Sequence, residues 1–76
     1  MTTERLQELR KEYSAFSQDQ KVRLRKVAAR ELKSRYPDLE EIGSSDVSIS
    51  LFNLRDELGS WEEVVRYGLE EFGVKH

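Results

Sequence analysis

The chain has 76 residues, with 13 Lys and Arg, 15 Asp and Glu, one His, one Pro, four Gly and no Cys. That length holds one small core, hence a single helical domain over residues 1–76, and the lack of Cys excludes a disulfide framework, a zinc ribbon and a thiol nucleophile. The longest apolar run, Val27 to Ala29, is too short for a membrane span or a signal-peptide core, so a soluble cytoplasmic protein with no membrane partner is expected.

The first segment, Thr3 to about Phe16, sets Leu6, Leu9, Tyr13 and Phe16 on one helical stripe, with Thr3 placed to cap it. Ser17-Gln18-Asp19-Gln20 is a capping box that opens a second helix. That helix runs to about Arg35, because a residue before proline, here Tyr36 before Pro37, resists helical geometry. Residues Asp38 to Ser45 read as one short helical turn followed by a Gly43-Ser44-Ser45 loop. From Asp46 to Leu58 two patterns compete. Val47, Ile49 and Leu51 alternate as in a strand, while Val47, Leu51, Leu54 and Leu58 form a helical stripe. Helix is favoured, since no other segment offers a pairing strand. Gly59 stops that helix, Ser60-Trp61-Glu62-Glu63 is a second capping box, and Gly73 ends the last helix. The result is an all-α domain, a small bundle of three to four short helices. Its expected core is Leu6, Leu9, Leu24, Val27, Ala28, Leu32, Leu51, Leu54, Leu58, Trp61, Val65, Leu69 and Phe72.

The net charge of −2 conceals a split: residues 1–36 carry ten basic and five acidic side chains, residues 37–76 three basic and ten acidic. Most of the positive charge lies on the second helix, where Arg23, Lys26, Arg30 and Lys33 fall at i, i+3, i+7 and i+10, with Lys21 and Arg35 in support. Like charges at this spacing repel, and only Asp19–Arg23 and Glu31–Arg35 are available within the helix to offset them. Three neutralising surfaces are open: the acidic half of the same chain, nucleic-acid phosphate, or an acidic protein surface that includes a second copy. A pI of 5.4 weighs against a general affinity for DNA.

Features of catalysis are few. The single His is residue 76, a poor place for a general base, and no phosphate-binding glycine loop, H-E-x-x-H or calcium loop occurs. The pairs Glu40-Glu41, Glu62-Glu63 and Glu70-Glu71 are adjacent in sequence, and on a helix such neighbours diverge rather than face each other. A non-enzymatic protein with no metal and no cofactor is expected.

Leu54-Arg55-Asp56-Glu57-Leu58-Gly59-Ser60-Trp61-Glu62-Glu63-Val64-Val65 resembles the end of a homing-endonuclease-associated repeat, in which a leucine–arginine helix leads to Phe-Gly-Ser-Trp and a second helix. Gly59, Ser60, Trp61 and Glu63 match in type and position; Leu58 stands in place of an aromatic, Val64 in place of Ala, and Gly68 falls one residue early. The resemblance implies a small helical DNA-binding accessory module.

Separately, Leu39 to Leu58 reads as a helix-turn-helix whose second helix exposes Ser50, Asn53, Asp56 and Glu57. Two carboxylates on that face would repel phosphate. Ile49 and Phe52 lie off the main apolar stripe and are candidates for a protein interface, with packing against Tyr13, Phe16 or Tyr36 as the alternative. Trp61, in the first turn of its helix, reads as a core anchor, with stacking on a base as the lesser alternative. Two functions therefore stand side by side: a protein-interaction or adaptor module that is a candidate homodimer, and a small nucleic-acid-binding protein.

Overall fold

The computed structural model describes residues 2–75, so His76 lies outside the described residues. The described residues form four helices: α1 (Thr3–Ser14), α2 (Gln18–Arg35), α3 (Ser44–Leu58) and α4 (Trp61–Phe72). Among the described residues there is no strand, and no helix is long and apolar enough to cross a membrane.

Helix ends follow local chemistry. Ser17 accepts from the backbone N–H of Gln20, and Ser60 from that of Glu63, which satisfies a free amide at the start of α2 and of α4. Tyr36 leaves helical geometry ahead of Pro37, as expected. Gly59 and Gly73 close α3 and α4 with φ of 91° and 65°, a left-handed conformation that costs a residue with a Cβ about 1–2 kcal/mol. After Gly73 the N–H of Val74 returns to Gly68 O at 3.1 Å, which carries the Val74 side chain into the core.

Three boundaries differ from expectation. The cap of α1 is Thr2, whose hydroxyl accepts from Arg5 N, and α1 ends at Ser14 rather than Phe16. No helix forms over Asp38–Ile42; one turn closed by Leu39 N–H to Tyr36 O is followed by irregular backbone, and α3 starts at Ser44. The helix-turn-helix reading thus loses its first helix. The ambiguous segment from Val47 to Leu51 is helical throughout.

Arg25, midway along α2, donates to Ser44 Oγ at 3.1 Å and Ser48 Oγ at 3.4 Å at the start of α3. Arg35 at the end of α2 lies in the field of Glu57 near the end of α3. The two helices therefore run in the same sense, and residues 36–43 return alongside α2. Stepping back from Arg35 to the level of Arg25 covers about 15 Å, well within the reach of eight residues.

The core joins Leu24, Val27 and Ala28 of α2 to Val47, Leu51 and Leu54 of α3, and to Val64 and Val74. Leu9 of α1 is fully buried. Tyr13 and Phe16 stand edge-on or tilted to Trp61 at centroid distances of 6.2 and 5.5 Å, and Phe52 is T-shaped to both Tyr13 and Trp61. Trp61 is the hub of this aromatic cluster, and its indole N–H donates to Glu12 at 2.7 Å.

Leu69 was expected inside but is 43% exposed, and Leu6 is only half-buried. The cause lies on α4. Gly68 is set against Val27, and Tyr67 donates its hydroxyl proton to Glu31 of α2. Together they rotate the helix so that Val64 and Gly68 point inward and Leu69 points out.

Candidate functional site

The basic row of α2 faces away from the core, because Leu24, Val27 and Ala28 dock the opposite side. Its four members differ in circumstance. Lys26 and Arg30 are exposed, and among the described residues neither has an ion-pair or hydrogen-bond partner. Lys33 is exposed and its ammonium donates to Leu39 O at 3.0 Å, bracing the loop while keeping its charge. Arg23 is half-buried, with its Nε lacking a partner among the described residues. Of the supporting cations, Lys21 sits over the Tyr13 ring at 5.9 Å and Arg35 pairs with Glu31.

No carboxylate of the acidic half lies within ion-pairing distance of Arg23, Lys26, Arg30 or Lys33 among the described residues. Asp56 pairs with Arg5 of α1 at 3.1 Å, and Glu63 with Arg66 of its own helix at 3.3 Å. Of the two pairs expected within α2, Glu31–Arg35 forms at 2.6 Å, and Asp19–Arg23 does not.

Glu31 is 5% exposed, an unusual place for a carboxylate. Two donors offset the cost of burying it: the Arg35 guanidinium and the Tyr67 hydroxyl. The hydrogen bond to Glu31 pushes the Tyr67 phenol up to about 12, with burial adding to the shift, and the same carboxylate raises Arg35.

Ile49 and Phe52, paired as interface candidates, are separated by the structure. Phe52 is 5% exposed and belongs to the aromatic cluster, because α1 covers the side of α3 on which it lies. Ile49 is 60% exposed and remains on the surface. It opens onto a groove of about 390 Å³ between α3 on one wall and the end of α2 with its following loop on the other. Tyr36 and Leu39 stand on the far wall, with Leu32 and Leu54 among the lining.

Periodicity alone did not reveal the groove. One signal was present: Tyr36, Leu39 and Ile49 are apolar side chains that fit no helical stripe, and all three are exposed along it. Of the polar face that a helix-turn-helix would present to DNA, Ser50, Asn53 and Glu57 form the α3 wall of this groove, while Asp56 turns to Arg5.

Among the described residues, no group of three or more His, Asp or Glu is arranged to hold a metal ion. The Gly59-Ser60-Trp61 segment that carries the family resemblance has a local physical meaning: a left-handed helix stop, a cap to Glu63 and an aromatic anchor. Compared with known proteins, the chain matches no family model, no curated protein and no solved structure.

Proposed function

We propose that this chain is a non-catalytic interaction module of the cytoplasm that engages an acidic protein surface through the α2 row. One observation carries the reading: Lys26, Arg30 and Lys33 are exposed on the outward face of α2 with Arg23 half-buried at its edge, and among the described residues no carboxylate pairs with any of them. Unpaired like charges three and four residues apart destabilise a helix slightly, and an external anion relieves that cost. Lys26 and Arg30 are the primary contacts, Lys33 adds charge at the loop end, and Arg23 borders the row.

The same four cations support a second reading, contact with nucleic-acid phosphate, to which the resemblance at Leu54–Val65 also points. The overall acidic balance of the chain, with a pI of 5.4, weighs against a general affinity for DNA.

Titration of the labelled protein with polyglutamate, a short DNA duplex and single-stranded RNA at about 50 mM salt separates the readings. Binding of polyglutamate, weakened by Arg30→Glu, is the expected result. Tighter binding of DNA or RNA, with a salt slope that falls by about 1 in the variant, transfers the site to nucleic acid. Binding of none of the three removes the row as a site. Sedimentation equilibrium tests whether the acidic partner is a second copy.

A further inference from the structure

We propose that the groove between α3 and the 36–39 loop is a second binding site, which receives one face of a basic amphipathic helix from a partner protein. None of Arg23, Lys26, Arg30 and Lys33 lines it, so it does not depend on that row's partner.

Five large hydrophobic side chains are exposed among the described residues, and three of them, Tyr36, Leu39 and Ile49, line this one groove. Scattered exposed apolar residues are ordinary; their concentration along one concave surface marks a place where a partner removes them from water. The volume of about 390 Å³ has room for a few apolar side chains.

The charged lining selects the sign of the occupant. Glu31, Asp46 and Glu57 carry three negative charges against the single positive charge of Arg35, and Arg35 is already held by Glu31. Asp46 and Glu57 have no ion pair among the described residues. They stand eleven positions apart on α3, a separation of about 16 Å, so they mark the two ends of the groove. A ligand helix laid along α3 meets both when it carries Lys or Arg about three turns apart, with apolar side chains between them.

Helical form follows from backbone chemistry. An extended segment would bring unpaired amides against an apolar wall that offers no strand edge, whereas a helix satisfies its own. A second copy of this chain fits less well. The outward faces of its own helices offer one large exposed hydrophobic each at most beyond the groove, Val22 on α2 and Leu69 on α4.

The test uses the full chain, isotope-labelled for nuclear magnetic resonance, and two synthetic peptides about four turns long. One has leucines on one helical face flanked by lysines; the other replaces every Lys with Glu. The Lys peptide is expected to shift signals of Leu32, Leu39, Ile49 and Asn53, and Ile49→Glu is expected to weaken it by about tenfold or more while circular dichroism stays unchanged. The site is overturned if the shifts map elsewhere, if the Glu peptide binds as well, or if Ile49→Glu leaves affinity intact. Concentration-dependent shifts at the groove without peptide would make the occupant a second copy and overturn the assignment to a partner helix.

Discussion

Gly68 of α4 lies against the Val27 side chain of α2 so closely that a Cβ at position 68 would overlap both Val27 methyl carbons. The glycine is buried in the middle of a helix, where its intrinsic preference is about 1 kcal/mol worse than alanine. Close approach of the two helices accounts for its presence.

Gly68→Ala is accordingly expected to destabilise the fold by about 1–3 kcal/mol despite the better helix propensity, through overpacking. Val27→Ala alone leaves a cavity. The double variant should be more stable than the sum of the two single losses predicts, and a double-mutant cycle by urea unfolding reads this coupling directly.

Tyr67 and Glu31 link α4 to α2 and make stability sensitive to high pH. The unfolded phenol ionises near its usual value of about 10, whereas the folded one holds its proton up to about 12. Between these values the unfolded state binds fewer protons, so the contribution is whole below about pH 10 and lost as pH rises through about 12. Tyr67→Phe should flatten this part of the melting-temperature profile. At neutral pH it should cost about 1 kcal/mol, less than a buried charge-assisted bond because Tyr67 keeps contact with water.

Phe52 and Ile49 should respond oppositely to truncation. Phe52→Ala empties the centre of the Tyr13–Phe52–Trp61 cluster and is expected to cost about 3–5 kcal/mol. Ile49→Ser, on a side chain 60% exposed, should stay within about 0.5 kcal/mol of the parent. Equal losses in chemical denaturation would mean that both residues are core.

Gly43 caps α3 with φ −74° and ψ 157°, ordinary backbone for any residue, and supplies no side-chain acceptor. Gly43→Ser should stabilise the protein by about 0.5–1 kcal/mol, from the added cap and from a less flexible unfolded chain. A rise in melting temperature with unchanged circular dichroism is the expected signature.

Among known features, helix positions were the most legible. The hydroxyls of Ser17 and Ser60, Pro37 after Tyr36, and glycines at 59 and 73 each act on amides or carbonyls within four residues, so a linear reading contains all that decides them. The α2 row was legible for the same reason, since helical pitch alone puts its four cations on one side.

Which faces meet depends on residues far apart in the chain. Leu69 turns outward because Gly68 meets Val27 and Tyr67 meets Glu31, contacts that span about forty positions and have no local sign. Phe52 is buried because α1 lies over that side of α3, and the groove exists because residues 36–43 return beside α2. Composition, caps and pitch by themselves gave an all-α bundle of three to four helices and a segregated charge. Tertiary packing alone decided that, among the described residues, no carboxylate of the acidic half pairs with Arg23, Lys26, Arg30 or Lys33, and that three unstriped apolar residues gather into one groove.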